Sequence, residues 1–141
     1  MTRFVDPAEQ RLSLSDGDYL IVKGALTAGE TIDMYAAMSD AEAKVDPVKF
    51  GPALVTAYLL DWSLVDAGGR IVSVRDQPAD VVASALRALA FEDYQEIVQA
   101  VQAHDEAVKA ARQEKKRRGG GASASNVISP WHAAAAGGTN G

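Results

Sequence analysis

Residues 46–65, DPVKFGPALVTAYLLDWSLV, form the most apolar stretch of this 141-residue chain, and the way they are read decides the fold. Asp46 is a good helix N-cap, and Pro47 is tolerated at the first helical position because its missing N–H has no intrahelical partner. Leu54, Val55, Tyr58, Leu59, Trp62 and Val65 recur at helical spacing, with Ala57, Leu60 and Leu64 widening the face, which predicts a largely buried central helix through Val65. Gly51-Pro52 falls in its first turns. A proline costs about 3 kcal/mol in a helix interior, so a kink there, or a start delayed to Pro52, is expected.

Upstream, residues 11–23, RLSLSDGDYLIVK, read as a hairpin: Leu12 and Leu14 alternate with polar neighbours, Asp16-Gly17-Asp18 supplies turn chemistry, and Tyr19-Leu20-Ile21-Val22 is aromatic and β-branched. Thr27-Ala28-Gly29-Glu30 is a capping-box pattern that starts a helix at Ala28, whose buried stripe reads as Ile32, Tyr35, Ala36 and Met38 or Ser39. Downstream, residues 70–74, RIVSV, fit one short strand beside the hairpin. Asp76 then reads as the cap of a helix carrying Val81, Val82, Ala85, Leu86 and Leu89. The last helix spans 91–118, with acids Glu92, Asp93 and Glu96 at its positive end and cations at its negative end, as the macrodipole favours. Its stripe of Tyr94, Ile97, Val98, Val101 and Val108 weakens beyond Ala103.

The expected fold is therefore α+β and mostly α-helical. A short antiparallel sheet, made of the N-terminal hairpin plus one strand, packs on about four helices. Residues 1–118 form one compact domain with a projecting last helix, and residues 119–141, rich in Gly, Ala and Ser, read as a disordered tail.

Composition narrows the chemistry. The chain has no cysteine, which excludes a disulfide framework, thiolate metal sites and a cysteine nucleophile. Its two histidines, His104 and His132, lack ligand partners at any recognised spacing. Asp16-x-Asp18 resembles the start of a calcium loop, but Thr27 stands where the closing acid belongs and Ile21 where the loop glycine belongs. Gly68-Gly69-Arg70 lacks the Lys-Ser/Thr ending of a phosphate loop. His104 beside Asp105 has only Ala100, Val101, Ala107 and Val108 one turn away, so it reads as a surface histidine, and Asp105-Glu106 as a solvated face. No catalytic, cofactor-binding or metal-binding residues are assigned, and an enzyme is not expected.

Formal net charge is −5 and the pI is near 4.9. Residues 112–118, RQEKKRR, carry a local +4, which leaves −9 for residues 1–111. An acidic body thus ends in a basic hinge of Lys115, Lys116, Arg117 and Arg118. This segment could hold nucleic acid, but it has no interleaved aromatics, so a dipole-complementing helix end is the favoured reading. The expected partner-binding residues are Val101, Val108 and Ala111 on the weak end of the last helix and Trp131, a lone aromatic anchor in the tail. Residues 1–10 carry two acids and no apolar run, and no segment is apolar enough to span a bilayer, so neither a signal peptide nor membrane association is expected.

Three segments carry a resemblance. They are Leu14-Ser15-Asp16-Gly17-Asp18-Tyr19 with Val22-Lys23 and Leu26-Thr27-Ala28-Gly29-Glu30; Val45-Asp46-Pro47 leading to Ala57-Tyr58-Leu59-Leu60-Asp61-Trp62-Ser63-Leu64; and Arg75-Asp76-Gln77-Pro78. In this order they resemble the tail assembly chaperones of long-tailed, non-contractile (siphovirus-type) bacteriophages. The resemblance spans about residues 3–118 and implies a phage protein, located in the host cytoplasm, that binds the major tail tube protein and the tape measure protein before polymerisation and is absent from the virion. It also implies a longer form made by translational frameshifting, for which the guanine-rich codons of Gly119-Gly120-Gly121 are a candidate slip site. The rival readings are a structural virion component, such as a head–tail connector or minor tail protein, and a nucleic-acid-binding regulator acting through residues 112–118.

Overall fold

The computed structural model describes residues 2–119. Strand β1 (Glu9–Ser13) turns through a 3-10 segment at Ser15–Gly17 into β2 (Tyr19–Lys23), and α1 (Ala28–Met38) and α2 (Pro47–Tyr58) follow. The chain then enters β3 (Leu59–Trp62), α3 (Ala79–Arg87) and α4 (Phe91–Gly119). The sheet is antiparallel with order β1-β2-β3. The architecture is thus the α+β fold expected, four helices on a three-stranded sheet.

The third strand is not the one the sequence suggested. Leu20 pairs with Trp62 and Ile21 with Asp61, so the free edge of β2 is taken by β3, with a bulge at Ile21/Val22. The stretch read as one helix through Val65 therefore breaks at Tyr58, where Leu59 turns extended and its N–H donates to the Val55 carbonyl. No glycine or proline marks the break. The apolar positions 54, 55, 58, 59 and 62 satisfy a helix stripe, yet Leu59 and Trp62 are buried equally well from a strand, and the ladder to β2 decides. Residues 70–74 pair instead with the chain just after β3, through a Val65–Ile71 bridge and a bond from the Val72 N–H to the Leu64 carbonyl. The Trp62 indole donates to the Val72 carbonyl at 2.6 Å and holds this segment, and Val74 is buried.

Leu20 and Val22 on β2, Leu54, Val55 and Tyr58 on α2, Leu86 on α3, and Ile97 and Val101 on α4 are the most deeply buried side chains. Helix α2 does begin at Pro47, and Asp46 accepts from the Val48 N–H at 2.9 Å. Pro52 lies inside it; the carbonyl its missing N–H leaves free belongs to Val48, which is exposed to water. Helix α1 starts as expected with a complete capping box between Thr27 and Glu30. Met38 is buried as expected, but its companion is Met34, while Ile32 is 66% exposed and Tyr35 and Ala36 are exposed as well. Helix α3 is preceded by Pro78 without a side-chain cap, and Asp76 sits at φ 60° in a turn instead of capping it.

The same five-residue turn is built twice. In residues 40–44 the Asp40 N–H donates to the Lys44 carbonyl, and Asp40 Oδ1 accepts from the N–H groups of Glu42 and Lys44 at 2.8 and 3.0 Å. In residues 66–70 Asp66 does the same with Arg70 and with the N–H groups of Gly68 and Arg70, at 2.9 and 3.0 Å. The fourth position is left-handed in both, at φ 78° for Gly69 but at φ 62° for Ala43.

The chain divides into two compact units, one ending at Glu106 and the other starting at Ala107. Residues 1–106 hold eight lysines and arginines against eighteen acids, a net −10, and residues 107–119 hold six against one, a net +5. In the second unit Val108 is half-buried, Ala111 and the cations of residues 115–118 are exposed, and Arg118 pairs with Glu114 at 2.7 Å.

Two predictions follow from local geometry. A left-handed L-residue costs roughly 1–2 kcal/mol and a glycine loses roughly 0.5–1 kcal/mol more backbone entropy, so Ala43→Gly should stabilise the protein by about 0.5–1 kcal/mol in urea unfolding. At Glu30, burial by itself raises the carboxyl's pKa, but the Lys23 ammonium, the Thr27 N–H and the Thr27 hydroxyl outweigh it and hold it below the ordinary 4.5. A depressed carboxyl contributes stability above its unfolded value and loses it as pH falls through the folded one. Wild type should therefore exceed Glu30→Gln by a constant margin from pH 6 to 8, narrowing below about pH 4.5 in thermal melts.

Candidate functional site

The N-terminal half of α2, the end of α3 and the first turns of α4 enclose an open groove of about 630 Å³. Half-buried Phe50, Leu89, Tyr94 and Val98 form its walls, and Val48 and Phe91, 82% and 66% exposed, stand on its rims. The Phe91 and Tyr94 rings stack with centroids 6.3 Å apart. Gly51 makes this packing possible. A Cβ there would fall on the Tyr94 hydroxyl and lie 3.2 Å from Val98 Cγ2, so α4 could not approach a larger residue so closely. Burial raises the pKa of the Tyr94 phenol above its ordinary value. The polar groups lining the groove are Arg87, Gln95 and Gln99, with no acid among them, and Arg87 has no hydrogen-bond or ion-pair partner among the described residues.

A second groove, of about 800 Å³, runs between α1, α2 and α3. Its lining includes Ala37, Ala53, Ala57, Ala79 and Ala83, and its charges balance, Glu30, Asp33 and Asp80 against Lys23, Lys49 and Arg87. It has no aromatic side chain to serve as an anchor, so the first groove is the stronger binding surface.

The histidine read as a surface residue is buried. His104 Nε2 lies 2.8 Å from the Lys23 carbonyl, which can only accept, so Nε2 carries the proton. Its ring meets Tyr58 edge-on, with centroids 5.3 Å apart. Asp105, read as part of a solvated face, is buried beside it and accepts from the Tyr58 hydroxyl at 2.6 Å. Position 104 falls on the same helix face as the buried Ile97 and Val101, which carries the histidine inward. These three side chains line neither groove and serve the fold.

The expected partner-binding residues scatter. Val101 is fully buried in the core, so it cannot meet a partner as proposed; it packs inward because the α4 stripe continues through it. Val108 and Ala111 lie in the second unit with the basic residues Lys115, Lys116, Arg117 and Arg118, and Trp131 lies outside the described residues. Among the groove residues, Leu89 and Tyr94 read in the sequence only as core stripe positions, and Val48, Phe50, Arg87 and Phe91 carry no functional signal there. Gly51-Pro52 was the available signal, because a glycine inside an apolar helix marks a close approach of another element. Among the described residues there is no acid–histidine cluster able to hold a metal ion.

No protein-family model, curated protein or solved structure matches the chain.

Removing the hydroxyl at Tyr58 deprives a buried carboxylate of its phenol donor. A hydrogen bond to a charged group contributes about 1.5–3 kcal/mol, so Tyr58→Phe should lower the unfolding free energy by that amount, read as a lower urea midpoint at an unchanged denaturant slope.

Proposed function

We propose that this chain is a tail assembly chaperone of a long-tailed, non-contractile bacteriophage. It binds the tail tube subunit, the tape measure protein or both before polymerisation, in the host cytoplasm, and leaves before the particle is finished. The observation that carries the reading is the open groove of the acidic body, where Val48 and Phe91 stand in water beside a wall of aromatic and aliphatic side chains. A subunit that must not polymerise early has to have an adhesive apolar surface covered, and a groove of this kind supplies the cover. The acidic charge around it keeps the protein from covering its own surface with a second copy by non-specific association. The segments that carry the resemblance fall at the hairpin turn, the α1 cap, the α2–β3 passage and the turn before α3. Among the described residues no helix is long and apolar enough to cross a membrane.

The cationic end of α4 favours a second reading, binding of a nucleic acid, whose signature is affinity that falls steeply with salt.

The test is affinity capture of the tagged full chain from a phage-producing culture, with mass spectrometry of the captured proteins and of purified virions. Tube or tape measure protein in the capture, with this chain missing from virions, is the expected result. Presence of the chain in virions would make it structural, and capture of nucleic acid alone would favour the basic segment. Intact-mass analysis in the same culture should reveal a second, longer product if frameshifting occurs.

A further inference from the structure

We propose that the groove between α2, α3 and α4 receives an extended apolar segment of the partner protein that carries a carboxylate among its apolar residues. This rests on the reading that the chain binds another protein, and it names the chemistry of that contact. The unit that contains the groove carries a net −10, yet no acid lines this groove, whereas the second groove, which Arg87 also borders, is lined by Glu30, Asp33 and Asp80; the Arg87 side chain has no hydrogen-bond or ion-pair partner among the described residues. A unit of this net charge disfavours an acidic segment in general, and the acid-free groove bordered by Arg87 is where its carboxylate is best received. A guanidinium takes a carboxylate through two parallel N–H donors, so the pairing is directional as well.

Two glutamines of α4 that also line the groove suit an extended backbone. Gln95 and Gln99 are one turn apart on α4, about 6 Å along the axis. Alternate residues of a strand are about 6.7 Å apart and point to the same side, so two amides at this spacing match successive backbone groups on one edge of an extended peptide. Its remaining side chains then meet the apolar wall of Phe50, Leu89 and Tyr94.

The test uses the full chain, labelled for backbone NMR, and three blocked hexapeptides as probes: acetyl-SLELSL-amide, the same peptide with lysine for glutamate, and a peptide with serine for every leucine. The glutamate peptide should bind roughly ten-fold more tightly than the lysine peptide, shift the resonances of Val48, Phe91 and Tyr94, and lose its advantage in Arg87→Glu. The serine peptide should not bind. Arg87 is exposed, so the variant should fold; Gln95→Ala with Gln99→Ala provides an independent check and should weaken the glutamate and lysine peptides equally. Equal binding of the glutamate and lysine peptides, or shifts confined to α1 or to residues 107–119, would overturn the proposal. Capture of the tube subunit by wild type and Arg87→Glu alike would also overturn it while leaving the chaperone reading standing. Peptide discrimination without any capture of tube or tape measure protein would overturn that reading and uphold the chemistry of the groove.

Discussion

The hydrogen bond from the Tyr58 hydroxyl to Asp105, with His104 packed edge-on against the same ring, is the constraint on which the rest of the first unit depends. Tyr58 is the last residue of α2, so its side chain fixes where α4 lies at the point where the backbone turns from helix to strand. His104 ties α4 to the end of β2 through the Lys23 carbonyl, and Lys23 in turn pairs with Glu30, which completes the capping box of α1. One strand and three helices are thereby joined through one run of polar contacts. A buried carboxylate is costly unless it is hydrogen-bonded. With its donor present, the cluster favours the single arrangement in which α4 places residues 104 and 105 inward, over slipped packings that would leave the charge unpaired.

The parts of this arrangement that could be read from the sequence are those governed by local chemistry. Thr27 and Glu30 cap α1, Asp46 and Pro47 start α2, and Asp16-Gly17 turns the hairpin, because each depends on residues a few positions apart. What could not be read depends on partners distant in sequence. The passage from α2 to β3 at Leu59 has no local stop signal and follows from the vacant edge of β2 some forty residues earlier. Ile32 and Tyr35 satisfy a helix stripe as well as Met34 and Met38 do, and only the packing of α1 on α2 selects the methionine face. His104 and Asp105 look like surface residues until Tyr58 and the Lys23 carbonyl are brought to them.

The groove was illegible for the same reason. Its walls come from three helices, and none of its residues forms a motif with its sequence neighbours apart from Phe91 and Tyr94, which lie one turn apart. In the sequence Gly51-Pro52 signals only a kink or a delayed start of one helix, whereas the consequence of the glycine lies on another: the approach of Tyr94 and Val98. Charge gives a comparable lesson. The basic run near the end of α4 is conspicuous as a string of letters, while Arg87, one of eight cations scattered through the first unit, gains meaning only from the groove it borders.

The network and the groove are mechanically coupled through α2 and α4. At one end of their contact Tyr58 and Asp105 hold the helices together in the core; at the other, Gly51 admits Tyr94, and Phe50 and Phe91 line the groove there. The width of that opening is therefore set by two contacts that are already made in the free protein. A surface fixed in this way loses little side-chain and backbone freedom when a segment docks, so its apolar area contributes to affinity with less ordering cost than a loop of the same composition would incur. The net negative charge of the unit that carries the aromatic rings disfavours self-association over them.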